Sequence, residues 1–456
     1  MKKFIYTFTI LISTHLLHAQ SWNELGGLNG LAANGYILSV CSDTSGNIYA
    51  AGVFTNSSGK YYVAKYNGTT WSELGGLNGL AANNSINSIC RDAAGNIYAA
   101  GNFTNSSGKG YVAKYNGSAW SELGGLNRLA ANNTIWSVCS DASGNIYAAG
   151  LFTNSSGQEY VAKYNGNAWS ELGGLNALAA TGDIWSVCSD ASGHIYAAGD
   201  IVNNSAKRYV AKWNGGSWSE LGGLSGLAAN GSIYSVCHDV SGNIYAGGGF
   251  TNFSGNSYVA KYNGSTWSEL GGLNGLTAYD INSVCTDAFG NIYAAGDFTN
   301  STGQRHVAKF NGSTWSELGG QNGLAANGYI WTVCSDASGN IYAGGYFTNS
   351  SGKEYVAKYK FTTGIGHISA LPLHLKCFPN PASNSTTISF SLSQSQKVSM
   401  KIFDVNGRLV SNLVDRIFDI GENEIVWNAD DVNAGIYFLQ IQTAENLLTK
   451  KLSIAK

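Results

Sequence analysis

Along most of the chain, short apolar runs alternate with clusters of Gly, Asn, Asp and Ser, and no stretch shows the 3.6-residue recurrence of an amphipathic helix. One stretch displays the whole pattern. Its apolar runs are Trp71 to Leu74, Ile86 to Cys90, Asn96 to Phe103 and Tyr111 to Tyr115, each bounded by turn residues. Asn116-Gly117, just before Trp120, predicts a two-residue hairpin, because both central positions of a type I′ turn need positive φ. Asp92 to Asn96 and Asn105 to Gly108 supply the other turns. The unit therefore predicts four antiparallel strands.

This unit recurs. Trp falls at 22, 71, 120, 169, 218, 267 and 315, giving five intervals of 49 residues and a last one of 48. A Cys series (41 to 334) and a Tyr series (49 to 342) keep the same step. Seven four-stranded units at this period predict an all-β fold, a seven-bladed β-propeller over residues 20–361. The last unit reads Lys360-Phe361-Thr362 where Trp-Ser-Glu-Leu belongs, and Ser21 to Leu25 carries the missing segment. The strand at 21–25 is thus expected to be the outer strand of the last blade and to close the ring; a solenoid gives no reason for that offset. The Gly95 to Gly101 run and its equivalents resemble the short repeat of bacterial propellers of the kelch-like and sensor-propeller group, which implies fold and leaves function open.

The two ends differ from the array. Lys2 and Lys3, an apolar run from Phe4 to Leu17, and Ala19 predict a signal peptide over residues 1–19. That run is too short to span a bilayer, and no membrane insertion is expected elsewhere. All three prolines (372, 379, 381) fall in one stretch, which predicts a linker over 362–381. Short alternating strands follow over 382–456 and predict a small Ig-like β-sandwich. This segment resembles the type A C-terminal sorting domain of the type IX secretion system. The likeness lies in Phe378-Pro379-Asn380-Pro381, in Asp404, Asn406, Gly407 and Arg408, in Gly435 and Tyr437, and in Lys450 and Lys451. It implies passage through the periplasm, the type IX translocon as a partner, and a final location on the cell surface or outside the cell.

Charged residues make up 12% of the chain, against about a quarter in an average soluble domain. The net charge of -2 offers no long-range attraction for nucleic acid. No metal spacing, phosphate loop or Ser-His-Asp arrangement is present, so neither metal, cofactor nor catalytic constellation is expected. Each Asp-x-x-Gly-Asn turn holds one carboxylate, fewer than a calcium loop supplies, and reads as an Asx-turn. The Cys of the array are odd in number and symmetry-equivalent, which predicts free, buried thiols.

What all blades share is expected to build blades; a specific site must lie where they differ. Two places stand out. The residue after the first Ile of each inner strand reads Leu38, Asn87, Trp136, Trp185, Tyr234, Asn282 and Trp331. The residue before that Ile and the one before the Phe of the next strand vary as a pair, from Tyr36 with Val53 to Tyr329 with Tyr346. Trp136, Trp185, Tyr234 and Trp331 could form a ring of stacking platforms for a sugar or planar group at the central mouth, on the face where blades connect, or pack between blades. Pairing Cys188 with Ile195 in the inner hairpin carries Asp183 opposite Asp200, and likewise Asp280 opposite Asp297. Facing carboxylates repel, so water, a cation or an acid/base role should offset them. The expected function is a secreted or surface binding protein for a protein or glycan ligand. An extracellular polysaccharide-acting enzyme using the Asp pairs, or a purely structural repeat protein, are the alternatives.

Overall fold

The computed structural model describes residues 21–126, 128–223, 226–360, 375–392, 395–405, 408–442 and 447–456. The predicted signal peptide, most of the predicted linker, and Asn406 and Gly407 lie outside the described residues. The chain divides into two compact units, Ala19–Thr362 and a C-terminal one from Thr363 to Lys456.

In the first unit the fourth blade shows the plan. Strands Ile184–Ser189, Ile195–Gly199, Ala211–Trp213 and Trp218–Glu220 pair antiparallel from inner to outer edge. Six such sheets follow the chain in order, and the seventh is completed by Ser21–Glu24, which pairs with Ala357–Lys360 through Trp22 opposite Tyr359. The unit is a seven-bladed β-propeller closed by its N-terminal strand, as the offset in the repeats predicts.

The core lies between blades rather than inside them. One cluster joins Tyr147, Ala149 and Val161 of the third blade to Ile184, Val187 and Ile195 of the fourth. A blade therefore cannot bury its apolar face alone, and only a closed set of neighbours removes all of them from water. The second strand is buried along its whole length, and its paired alanines, such as Ala197 and Ala198, let adjacent sheets approach.

The repeated polar residues fasten this stack. Each outer-strand Trp donates its indole N–H to a Leu carbonyl of the preceding blade, as in Trp71 to Leu25 at 2.8 Å. Tyr147 and its equivalents donate to the turn carboxylate, here Asp141 Oδ2 at 2.9 Å, while Asp141 Oδ1 accepts the backbone N–H of Ser143 and Asn145. These are the Asx-turns the sequence predicts. His194, standing where other blades have Asn, keeps the bond with Nδ1 2.8 Å from Asp190 Oδ2.

The C-terminal unit is a sandwich of a three-stranded and a four-stranded sheet around Ile388, Phe390, Met400, Ile402, Leu439 and Leu452. Strand Lys376–Phe378, inside the predicted linker, pairs with Ser389 to Thr387, so the sandwich begins earlier than residue 382. The motif residues hold local geometry. Asn380 donates to the Lys451 carbonyl and accepts from Ser453 N–H. Asp404 Oδ1 accepts from Arg408 N–H, Tyr437 donates to the Asn433 carbonyl, and Lys450 Nζ donates to the Leu375 carbonyl. Gly435 opens the strand Gly435–Gln442, and exposed Pro379 and Pro381 flank Asn380.

Candidate functional site

Every inner hairpin of the propeller departs from regular pairing at one place. Cys188 faces Tyr196, not Ile195 as the sequence reading assumed, and Ser189 faces Ile195. A one-residue bulge at Trp185, between Ile184 and Ser186, absorbs the difference and sets Ile184 opposite Gly199. Asp183 thereby returns to the position opposite Asp200, whose N–H bonds the Asp183 carbonyl at 2.8 Å. In the sixth blade Asp280 pairs directly with Asp297. The carboxylate pairs are where the sequence placed them, reached through a register that needs a bulge.

Gly199 allows this geometry. A Cβ there would lie 2.0 Å from the Asp183 carbonyl oxygen, and the equivalent Gly296 would meet the Asp280 carbonyl at 2.1 Å. Only glycine tolerates such an approach. The bulge also has a sequence signal in the distance between Ile184 and Val187. Regular alternation would put residues three apart on opposite faces, yet both are buried in the same core cluster.

The bulged residue is one of those that vary between blades. All seven, Leu38, Asn87, Trp136, Trp185, Tyr234, Asn282 and Trp331, line a single cavity of about 470 Å³, joined there by Asp280. The structure thus gathers the four predicted aromatic residues in one place and adds Leu38 and two amides to its wall. Trp136 and Trp185 stand 4.7 Å apart between ring centres at 33°, and Tyr234 meets Trp185 edge-on at 6.1 Å. Trp331 is 40% exposed.

Around this cavity the carboxylates are not equivalent. Asp200 accepts from Arg208 Nε at 2.6 Å, from Ser232 Oγ at 2.6 Å and from Trp185 Nε1 at 3.1 Å. Burial pushes its pKa up, but the bonds from Ser232, Trp185 and Arg208 and the guanidinium charge more than offset this and hold it below the ordinary value. Its partner Asp183 accepts from Trp136 Nε1 at 3.3 Å, and burial, opposed by that bond and aided by the Asp200 charge, raises it. Asp280 is raised by burial and then by the Asp297 charge, while Asp297 is paired to Arg305 at 2.8 Å.

The offset between the facing carboxylates is thus an arginine. Sequence reading missed Arg208 and Arg305, although the signal was available: of the seven blades only these two carry the Asp pair, and only these two have Arg eight residues after its second member. Among the described residues no group of His, Cys, Asp and Glu is arranged to hold a metal ion.

Two other features belong to the scaffold. A cleft of about 400 Å³ is walled by Asp43, Tyr49, Lys65 and Glu73, all members of the repeated set. All eight Cys are free. The propeller Cys are half-buried, less enclosed than expected, yet protein packed around the thiols pushes Cys41 and Cys188 up to about 12.

Residues 376–455 match the family described as Secretion system C-terminal sorting domain. They are a type IX sorting domain. The domain marks proteins exported by type IX secretion to the cell surface or beyond it, and this propeller is such a cargo. No curated protein matches the chain. Among solved structures, PorZ, an essential bacterial surface component of the type IX secretion system of Porphyromonas gingivalis, is similar at 16% identity and a TM-score of 0.49, over 91% of this chain and 59% of that one. The extracellular domain of BT3049 from B. thetaiotaomicron is similar at 12% identity and a TM-score of 0.48, over 95% and 57%. The chain thus spans less than two thirds of the length of either. The number of blades follows from this chain's own strand pairing. No helix among the described residues is long and apolar enough to cross a membrane.

Proposed function

We propose that the exported propeller is a binding protein whose ligand enters the cavity at its central mouth. One observation carries this reading: seven nearly identical blades differ at the bulged position, and the seven bulged side chains together line one cavity. Stability of the ring asks for repetition there, as it does for the Trp, Tyr and Asp series. Three Trp and a Tyr on a half-open wall suit recognition of a flat or apolar-faced group from solution.

The test is direct binding of candidate protein and glycan ligands to the full chain, with the ligand recovered and analysed afterwards. Saturable binding of an unchanged ligand, lost in Trp136→Ala and Trp331→Ala, supports the proposal. Chemical conversion of a polysaccharide that stops in Asp280→Asn would replace it with the enzyme reading, to which the raised Asp183 and Asp280 carboxyls lend support.

A further inference from the structure

The cavity has a chemical bias that lies in its hydrogen bonds. Most of its donors are committed, the indole N–H of Trp331 being an exception: Trp136 and Trp185 give their indole N–H to Asp183 and Asp200. Asn87 Nδ2 donates to the Ile135 carbonyl at 3.3 Å and Asn282 Nδ2 to the Ile330 carbonyl at 3.1 Å. The acceptor side is left open. Asp280 lines the cavity and takes no side-chain hydrogen bond or ion pair among the described residues. Its Oδ1 occupies space that exists because the neighbouring blade has Gly249, where a Cβ would stand 2.7 Å from Oδ1 and 3.4 Å from the Tyr234 hydroxyl. Every other blade has a side chain at that position.

Charge points the same way. Of the two Asp pairs, Asp280 is the member that lines the cavity, and Arg208 and Arg305 neutralise one carboxylate in each pair, Asp200 and Asp297. Asp183 and Asp280 have no ion pair among the described residues, and Asp280 shares the cavity wall with the Trp and Tyr rings. A neutral sugar would present hydroxyls that need donors as well as acceptors, and few donors here remain uncommitted. An organic cation brings its own donors, or needs none, and is attracted both by aromatic faces and by a carboxylate.

Resting on the reading of the mouth as a binding site, we infer that it receives an alkylammonium or guanidinium group, held between the aromatic rings and the Asp280 carboxylate. The group could arrive on a free amine or on a basic side chain of a polypeptide, and the chemistry is the same.

Calorimetric titration of the full chain tests this with tetramethylammonium, N-acetyl-lysine amide and N-acetyl-arginine amide, against uncharged 3,3-dimethylbutan-1-ol and a cello-oligosaccharide. At least one cation should bind about tenfold or more tightly than the uncharged alcohol, the size expected of a desolvated cation–π site. Asp280→Asn, nearly isosteric, should weaken the cation by about tenfold and leave the alcohol unchanged. Trp331→Ala should weaken both, and Trp331→Phe should restore most of the cation affinity, which separates ring chemistry from misfolding. Preference for an amino-acid amide over tetramethylammonium identifies a polypeptide source, and the reverse a free amine. Oligosaccharide binding indifferent to Asp280→Asn overturns the cation and leaves the binding site intact. If no probe of any class binds and the Trp331 variants change nothing, the binding reading falls as well.

Discussion

Trp22 Nε1 donates to the carbonyl of Leu318 at 2.9 Å, joining residues 296 apart in sequence by the bond that elsewhere links consecutive blades. Ser42 Oγ, donating to the Ser335 carbonyl at 3.1 Å, does the same for the inner strands. Together with the strand pairing of Ser21–Glu24, the Trp71 to Leu25 bond and the apolar cluster between the last and first blades, these contacts close the ring. Because the outermost strand of the last blade comes from the other end of the chain, closure here is noncovalent and can be removed without cutting the array.

Deleting Ser21 to Leu25 should therefore lower thermal stability more than deleting an exposed loop of equal length. It leaves Ala357–Lys360 as an unpaired edge, so self-association should rise with it. The milder change Trp22→Phe keeps the ring but loses the bond to Leu318, at about 1 kcal/mol. Melting curves and sedimentation of the truncated chain decide the point: an unchanged midpoint and a monomer would show that closure contributes nothing.

Gly249 predicts a separation of binding from stability. Its φ is not in the left-handed region, so Ala is conformationally acceptable, but the new Cβ would press on Asp280 Oδ1 at 2.7 Å. The carboxylate, on a movable side chain, must swing away. We expect Gly249→Ala to reduce cation binding at the mouth severalfold with less than about 1 kcal/mol change in stability. Titration and melting of the one variant measure both, and undiminished affinity would show that the position of Asp280 is unimportant. Gly199 is a different case, because its Cβ would meet backbone at 2.0 Å and nothing there can give.

How much of this was legible follows from where each signal lies. The propeller, its closing strand and the sorting domain are written in periodic or contiguous residues, Trp22 and Tyr359 among them, and periodicity needs no three-dimensional knowledge. The Asp183/Asp200 pair was found through an assumed register whose error at Cys188 was cancelled by the bulge at Trp185. A ring of Trp136, Trp185, Tyr234 and Trp331 at the mouth is one of two readings the sequence offers, inter-blade packing being the other; that Leu38, Asn87 and Asn282 share the same wall depends on where seven separate strands turn their side chains. The role of Arg208 was readable in principle, but only by comparing blades at a position outside the inner hairpin.

Arg208 supports a pH prediction. Asp200 is held below its unfolded value, so its contribution to stability is present above about pH 4, the unfolded carboxyl value, and is lost as pH falls through the lower folded value. Arg208→Ala removes two of the opposing influences, the guanidinium bond and charge, and the folded pKa of Asp200 should rise. The variant should be less stable than the parent by about 1 kcal/mol at neutral pH, with the gap closing in acid. Denaturant unfolding at pH 7 and pH 3 checks this; a gap that widens in acid would reverse the assignment.

The turn carboxylates should dominate acid unfolding of the propeller as a whole. Asp43, Asp92, Asp141, Asp190 and Asp239 are each subject to burial, which raises the pKa, and to hydrogen bonds that outweigh it, so all are lowered. A depressed folded pKa gives stability above the unfolded value that disappears as pH falls through the folded one. Five copies of the effect in one ring should make acid denaturation steep. Asp141→Asn, which replaces a charged acceptor with a neutral one, should cost about 1–2 kcal/mol at pH 7 and little at pH 2. Equal cost at both pH values would mean that charge is irrelevant to the turn.

Export gives the last prediction. The sorting domain begins at the strand Lys376–Phe378, whose pairing with Ser389 to Thr387 ties Cys377 against the sandwich core. Removing residues 376–456 takes away the whole sandwich, and the two units have separate cores. The propeller should therefore fold and accumulate in the periplasm, protease-resistant but absent from the cell surface. A cut at residue 382 instead retains Lys376–Phe378 without its partner strand, exposing an edge, and should give the same export defect with a lower yield of folded protein. Fractionation and surface labelling distinguish the outcomes. Surface display of either truncated protein would mean that export information lies outside the sandwich, whereas loss of the folded propeller in the longer deletion alone would mean that the two units depend on each other for folding.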